Sequence, residues 1–296
     1  MSLDVPVTLA GLFVGFVVGL TGMGGGALMT PLLVLFFGFQ PLTAVSSDLV
    51  ASLIMKPVGG VVHSKRGTVH WRLVAWLGLG SVPSAFLGVL LLRSHYAAAE
   101  LQHLVKHALG VTLLAVVAAL LLRSFISRKR ASGQGSAPLE VRPVPTVLIG
   151  VLGGLVVGVT SVGAGSLMII LLLLVYPKIR LSELVGTDLV QAIPLILSAS
   201  IGHLLFGAFS FDLTTSIVLG GIPGVYLGAR CSAHAPDAII RPALAIVLVA
   251  SALKLLGASN LLVALVTGSM LLAAVASSLI NAQRARAREL PMPGGE

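Results

Sequence analysis

Long apolar stretches separated by short polar intervals run through almost the whole chain. They fall at about residues 5–38, 43–63, 72–92, 101–123, 144–176, 184–205, 213–229, 238–256 and 260–281. Each is long enough, or nearly so, to cross roughly 30 Å of hydrocarbon as a helix. The pattern predicts an all-α protein with nine apolar segments. Residues 124–143 interrupt it with charges, Gly, Ser and Pro, which is typical of a solvated linker between two halves.

The composition indicates that the bilayer is the solvent. The chain has 296 residues, of which 56% are hydrophobic and only 10% charged, whereas a soluble domain carries about 25% charged residues. The net charge of +9 comes from Lys and Arg in short runs between apolar segments, which is the positive-inside pattern rather than a nucleic-acid surface. We expect a multi-pass protein of the inner (cytoplasmic) membrane, in contact with lipid, as a monomer or homodimer. No nucleic acid, cofactor or metal is expected.

The two halves of the chain resemble each other. Residues 19–29, GLTGMGGGALM, match residues 158–168, GVTSVGAGSLM, at an offset of 139. A common offset over many Gly, Pro, His and Asp positions indicates an internal duplication. One inserted residue raises the offset to 140, which then pairs Asp48 with Asp188, His63 with His203, Gly67 with Gly207, Pro83 with Pro223 and Gly88 with Gly228.

The distribution of positive charge predicts that the second half is inverted. If all nine segments span the membrane, Lys and Arg divide about evenly between its two sides, against the positive-inside rule. If the first and fifth segments break at their Gly clusters and return, fifteen share one side and only Arg93 and Lys106 lie opposite. The N-terminus is then outside, and the linker and C-terminus are cytoplasmic. The fifteen are Lys65, Arg66, Arg72, Arg123, Arg128, Lys129, Arg130, Arg142, Lys178, Arg180, Arg230, Arg241, Arg284, Arg286 and Arg288.

The predicted architecture is therefore two inverted repeats and a final helix. Each repeat has a broken, re-entrant helix pair followed by three transmembrane helices, and one C-terminal transmembrane helix follows. Inverted repeats with broken helices are a known transporter plan, with the substrate near the midplane. The predicted divisions are the first repeat (1–123), a cytoplasmic linker (124–143), the second repeat (144–256), and the C-terminal helix with its basic tail (257–296).

The two Gly-rich breaks are the first candidate site. Non-helical backbone at membrane depth persists only beside protein or a watery cavity. Half-helices that begin near Gly25 and Gly165 would aim free N–H groups and a positive dipole end at that cavity, an arrangement that binds anions. Tight helix packing through small residues is the alternative explanation. The candidate substrate-binding residues here are Thr21, Gly24, Gly25, Gly26, Thr160, Ser161, Gly163, Gly165 and Ser166.

The helix after the first break carries ionisable side chains on one face. An ionisable group in the bilayer core costs at least about 2.5–3.5 kcal/mol, so a partner or a watery path is expected. Lys56, deep in its segment, is therefore a further candidate for substrate binding. At about 100° per residue, an arc of roughly 80° holds Asp48, Ser52, Lys56, Gly59 and His63.

The second half repeats this face only in part. It offers Gln191 as a further substrate-binding candidate, but Ile196 stands where the first half has Lys56. With Lys56 offsetting the charge of Asp48, the aspartate of the second half is predicted to be the proton carrier. Helix N-terminal residues and interfacial caps are the alternative interpretations of the acids and the histidines. The coupling candidates are Asp48, Asp188, His63 and His203.

The order of these motifs carries a family resemblance. GLTGMGGG is followed by Asp48, by the run from His63 to Arg72 and by GSVPSAFLG, and the second half has GVTSVGAG, GTDL, GHLLFG and GGIPGVYLG. This order, over nearly the whole chain except the linker and tail, resembles the sulfite exporter family called TauE/SafE. The resemblance implies a secondary transporter that exports sulfite, sulfoacetate or a related anion. Many members have Thr-Ser where this chain has Ser47-Asp48 and Thr187-Asp188, which suggests a different substrate or a coupling-ion role.

The predicted function is proton-coupled export of a small sulfur-containing or organic anion, without enzymatic activity. An importer of sulfate or thiosulfate type is the alternative within transport. An intramembrane hydrolase is the alternative from another class, with Ser166 and His203, or Asp48 and Asp188, as its dyad. The symmetric duplication argues against a hydrolase, because a catalytic site seldom needs both copies.

Overall fold

The all-α prediction is confirmed. The computed structural model describes residues 4–21, 25–65, 67–130, 140–177, 179, 181–206, 209–231 and 237–289, and within them it has eleven helices and no strand. Every predicted apolar segment coincides with one helix or, for the first and fifth, with a helix pair. The helices are α1 (Val5–Thr21), α2 (Gly26–Leu35), α3 (Pro41–Lys65), α4 (Trp71–His95), α5 (Ala98–Arg130), α6 (Pro143–Thr160), α7 (Leu167–Val175), α8 (Leu181–Phe206), α9 (Phe211–Cys231), α10 (Asp237–Leu255) and α11 (Asn260–Glu289).

Both predicted breaks are present. The first separates α1 from α2, and the second separates α6 from α7. Left-handed backbone makes the second break, with φ of 58° at Ser161, 117° at Gly163 and 108° at Gly165. Glycine adopts such angles without the steric cost that a Cβ would add, which is why the helix stops at this motif.

The α6–α7 pair enters and leaves at the same end of the bundle. The Arg142 N–H, just before α6, donates to Tyr176 Oη, just after α7, at 2.9 Å. The Tyr176 hydroxyl donates back to the Arg142 carbonyl at 3.2 Å. These bonds hold the two outer ends of the pair together, as the re-entrant hairpin predicts.

The α1–α2 pair has the same arrangement. The Asp4 N–H, just before α1, donates to Ser216 Oγ in the second turn of α9 at 3.2 Å. Near the start of α3, Ser47 Oγ lies 3.5 Å from the Ser210 carbonyl, just before α9. The starts of α1, α3 and α9 are therefore neighbours. Because α2 leads into α3 through residues 36–40 only, the end of α2 lies close to the start of α1.

Each hairpin packs against a helix of the other half. Helix α1 lies parallel to α9, and α6 lies parallel to α4. The backbones touch: a Cβ added at Gly15 would meet the Gly221 carbonyl, and one added at Gly158 would meet the Ala85 carbonyl. Small residues allow this approach, which is how helices associate where lipid gives no hydrophobic drive. The rows involved are Gly11, Gly15 and Gly19 on α1, Gly220, Gly224 and Gly228 on α9, Gly80, Ser84 and Gly88 on α4, and Gly150, Gly154 and Gly158 on α6.

Helices α3 and α8 form an antiparallel pair between the two halves. Ser46, near the start of α3, contacts His203, near the end of α8. Helix α1 starts at the same end of the bundle as α3. Helix α6 runs parallel to α4, which begins where α3 ends, so α6 starts at the other end. The two hairpins therefore enter from opposite ends of the bundle. How the bundle lies in a bilayer remains a prediction. The apolar core around the α3–α8 pair includes Leu49, Leu113, Met168 and Leu195.

Four helices in the described part of the chain are long and apolar enough to cross a membrane. They cover Trp71–His95, Ala99–Leu122, Pro143–Thr160 and Glu183–Phe206. One of them is α6, whose 18 residues would nearly span the hydrocarbon before the break. Helix α5 continues to Arg130, so the first seven residues of the interval 124–143 are helical. The division into repeats and linker stays a prediction.

Candidate functional site

The two breaks meet in the interior. A Cβ added at Gly26 would collide with the backbone carbonyl of Ser161, so the first turn of α2 lies directly against the second break. The neighbouring Gly25 has room instead. The nearest atoms to a Cβ there are Ser52 Oγ and Val18 Cγ2, both at 3.9 Å. The first turn of α2 is therefore tightly packed at Gly26, whereas Gly25 would accept a methyl group beside Ser52 of α3.

Asp48 of α3 joins the two breaks. Its Oδ2 atom accepts hydrogen bonds from Ser161 Oγ at 2.6 Å and from Thr30 Oγ1 of α2 at 3.0 Å. The side chain is fully buried, and its Oδ1 atom has no hydrogen-bond partner. A buried carboxylate oxygen without a partner is costly, which marks this atom as a position where a proton or another ligand would be stabilised.

Asp188 of α8 has different partners. It accepts a hydrogen bond from the Gly165 backbone N–H and interacts electrostatically with Lys56. Its Oδ1 atom is also buried without a hydrogen-bond partner. The Gly165 N–H, which was predicted to bind the substrate, is thus hydrogen-bonded to a carboxylate of the protein itself.

Lys56 interacts with both carboxylates, but more strongly with Asp188 than with Asp48. Lys56 therefore has a second candidate partner in Asp188, besides the Asp48 that the sequence favours. Eight residues along one helix separate Lys56 from Asp48, which is about 12 Å along the axis. Asp188 comes from the antiparallel neighbour α8, seven residues from the start of that helix, as Asp48 is from the start of α3. The two carboxylates therefore approach the middle of the bundle from opposite ends.

His203 links three helices. Its Nε2 atom lies 2.7 Å from the Gly158 carbonyl of α6, and its Nδ1 atom lies 2.8 Å from Ser46 Oγ of α3. Because a carbonyl only accepts, Nε2 carries a proton. Both ring nitrogens are engaged, so the dyad with Ser166 that a hydrolase would need is not formed. The His63 side chain and Gly24 lie outside the described residues.

The remaining predicted donors are largely engaged with the protein. Thr21 Oγ1 donates to the Val17 carbonyl at 2.8 Å, and Thr160 Oγ1 donates to the Val156 carbonyl at 2.7 Å, each within its own helix. Gln191 Nε2 donates to Ser81 Oγ at 2.6 Å, while its Oε1 atom is buried without a partner. Ser166 is buried just before α7 and makes no side-chain cap bond there.

Sequence reasoning missed three hydroxyl groups that bond Asp48, His203 and Gln191. Thr30, Ser46 and Ser81 are all buried and all bond a predicted site residue. Their repeat mates carry no hydroxyl: Ile169 matches Thr30, for example. A search based on repetition therefore passes over them. A polar residue within an apolar segment was the signal that could have found Thr30.

The structure has buried charged side chains beside two broken helices, within a bundle of apolar helices. This arrangement is typical of membrane transport proteins. The family comparison narrows the class. Residues 7–255 match the family model described as "Sulfite exporter TauE/SafE", and the chain belongs to that family. It is a multi-pass membrane protein of the transporter type. Helix α11 lies beyond the matched residues.

Relatives are known under transporter names. The chain is 39% identical over 258 residues to "Probable membrane transporter protein YjnA" of Bacillus subtilis (strain 168), covering 86% of this chain and all of the relative. It is 24% identical to "Probable membrane transporter protein YdhB" of the same organism, over 80% of this chain and 94% of the relative. A "Probable membrane transporter protein" of Xylella fastidiosa (strain Temecula1 / ATCC 700964) is 28% identical over 77% of this chain and 84% of its own length. No solved structure matches the chain.

Proposed function

We propose that the protein is a secondary transporter that exports a small sulfur-containing or organic oxyanion across the cytoplasmic membrane, with proton coupling. Sulfite and sulfoacetate are the expected substrates. The family supports the substrate class, and the names of the relatives support transport. The proposed transporter acts as a monomer or homodimer and requires no cofactor.

The observation that carries this proposal is the uncrowded position of Gly25, where an added Cβ would make only ordinary van der Waals contacts. A Cβ there would meet nothing closer than 3.9 Å, and one of its two nearest atoms is Ser52 Oγ. Lys56 lies one turn further along the same face of α3. An anion bound beside Gly25 would meet backbone N–H groups at the start of α2, a hydroxyl and an ammonium group. Three donor types suit an oxyanion with several oxygens.

The second break supports this anion site from the other side. Ser161 lies against Gly26, and the Gly165 N–H is bound to Asp188. The donors for the anion therefore come from α2 and α3, and the second break closes the space and holds the two aspartates. This assigns the binding role chiefly to the first break, although both breaks carry the motif.

Lysine substitution in proteoliposomes tests the proposal. Lys56→Gln is expected to lower sulfite flux at least tenfold, because the site loses its positive charge. Lys254→Gln is the matched control: Lys254 lies in the last turn of α10, hydrogen-bonded to Asn260, and is expected to transport like the parent. Equal flux in both variants would remove Lys56 from the site.

The direction and the substrate need a separate measurement. Cells that overproduce the protein, loaded with labelled sulfite, sulfoacetate, thiosulfate or sulfate, are expected to lose sulfite or sulfoacetate fastest. Faster uptake of external sulfate or thiosulfate would identify an importer instead. Product formation from any of these anions in detergent, without a sealed membrane, would indicate an enzyme.

A further inference from the structure

We infer that Asp48, and not Asp188, is the proton-binding site of the transport cycle, and that its proton crosses the membrane together with the anion. The link to the anion rests on the function proposed above. The assignment of the proton to Asp48 rests on the hydrogen-bond partners of the two carboxyl groups.

The partners of Asp188 only donate. A backbone N–H and an ammonium group have no acceptor to offer, so the Gly165 N–H and Lys56 both favour the ionised carboxylate. On protonation, the Asp188 carboxyl group would lose its attraction to Lys56. Its O–H group would find no acceptor among the partners of Asp188. Asp188 therefore stays ionised through the cycle, with Lys56 as the nearby positive charge.

The partners of Asp48 can also accept. Thr30 and Ser161 both present hydroxyl groups, and a hydroxyl donates to a carboxylate or, after rotation, accepts from a carboxylic acid. Both protonation states of Asp48 are therefore satisfied without moving a helix. A proton on Oδ2, which lies between the two hydroxyl groups, would donate to one of them. The buried, unpartnered Oδ1 atom would then be an uncharged carbonyl oxygen, which costs less to bury than a carboxylate oxygen.

Few charged groups face Asp48. On α3 its charged neighbour is Lys56. On α8, Asp188 interacts with that lysine. His203 of α8 contacts Ser46 of α3, two residues from Asp48. Helices α1, α2, α6 and α7 contain no charged residue. The charged side chains near the starts of α5 and α9 are at least partly exposed: Glu100, Lys106 and Asp212. Glu183, near the start of α8, is bonded to His70.

Proton and anion binding are linked through the face of α3. Asp48, Ser52 and Lys56 follow one another at intervals of four residues, so they lie on one side of the helix. An anion between Gly25 and Ser52 would lie one turn from the Asp48 carboxyl group. Since like charges repel, the bound anion favours the protonated acid, and the proton in turn favours the anion. The two therefore move in the same direction, and net export requires that the outward gradient of the anion exceed the opposing proton gradient.

Infrared spectroscopy of the full chain tests the proton site directly. The C=O stretching band of a buried carboxylic acid is expected on acidification of the parent, and sulfite added at fixed pH should enlarge it. The band should be absent in Asp48→Asn and retained in Asp188→Asn. A band that persists in Asp48→Asn and disappears in Asp188→Asn would overturn the inference.

A labelled conservative variant covers the case in which Asp48→Asn does not fold. With carbon-13 in the aspartate carboxyl groups only, the band of the parent should shift in frequency. In labelled Asp48→Glu the band should return without that shift, because glutamate now carries the proton. A band that still shifts comes from another aspartate and would contradict the assignment.

Flux measurements separate this inference from the proposed function. With an imposed pH gradient across proteoliposomes, sulfite should accumulate on the alkaline side with the parent, and Asp48→Asn should exchange sulfite without responding to the gradient. Accumulation on the acidic side would mean opposite movement and would overturn the shared direction. A titrating Asp48 band that sulfite leaves unchanged would overturn sulfite as the substrate and leave the proton site intact.

Discussion

Two adjacent glycines at the start of α2 have opposite surroundings, which separates folding from binding at the residue scale. A Cβ at Gly26 would collide with the Ser161 backbone, whereas one at Gly25 would meet only ordinary contacts at 3.9 Å. Gly26→Ala is therefore expected to lower the thermal unfolding temperature in detergent, because backbone cannot move aside as a flexible side chain can. Overpacking of this kind typically costs about 1–3 kcal/mol.

Gly25→Ala should fold like the parent and bind sulfite more weakly. The added methyl group would occupy the space proposed for the anion without touching the second break. Sulfite-induced thermal stabilisation, measured over a range of sulfite concentrations, checks this. Parent-like stabilisation in a normally folded Gly25→Ala protein would move the anion away from the first break.

At this scale the sequence predicted the positions of the breaks better than the contacts of the side chains around them. Repetition of Gly and Asp motifs identified the breaks and both acids. The interaction of Lys56 with Asp188 was not predicted, because the pattern along one helix indicates only Asp48, whereas Asp188 comes from a second helix. Contacts such as Ser161–Asp48, 113 residues apart, depend on how helices pack and have no local signature.

At the scale of the elements, the parallel pairs α1–α9 and α4–α6 depend on small residues at the contact. Two glycines of α4 provide a matched test. A Cβ at Gly80 would collide with the Val147 carbonyl of α6, whereas one at Gly78 would meet nothing within 4 Å. Gly80→Ala should destabilise the protein by about 1–3 kcal/mol through overpacking. Gly78→Ala should be neutral or stabilising by up to about 1 kcal/mol, because alanine favours the helix more than glycine does.

Unfolding in detergent, followed by circular dichroism, compares the two variants under the same conditions. A Gly78→Ala protein that is destabilised as much as Gly80→Ala would show that α4 does not present Gly80 to α6. The positions of the helices followed from hydropathy, although α5 and α11 extend beyond their predicted ends. Their pairing did not, since glycine spacing marks a contact surface without naming the helix that covers it.

At the scale of the whole molecule, the predicted topology puts the end of α9 in the cytoplasm. Cys231 is the only cysteine of the chain and is exposed at that end, so it serves as a natural reporter. A membrane-impermeant maleimide should label it only after the cells are permeabilised. In a Cys231→Ser background, Ser2→Cys should be labelled in intact cells, because the N-terminus is predicted to be outside.

Labelling of Cys231 in intact cells would reverse the orientation, and labelling of both positions from one side would contradict the inverted repeats. Charge bias over many loops made this prediction available from sequence. The contacts of the hairpin ends, Arg142 with Tyr176 and Asp4 with Ser216, agree with it but contain no information about the bilayer.

The pairing of α1 with α9 has a consequence for how the protein is made. Helix α1 leaves the ribosome before α9, and the glycines against which it packs are about 200 residues further along the chain. At about 5–20 residues per second of synthesis, that partner follows roughly 10–40 seconds later. For that time a short helix rich in glycine, with a broken end, must stay in the membrane without its native neighbour. The packing of α1 therefore waits for the synthesis of the second half.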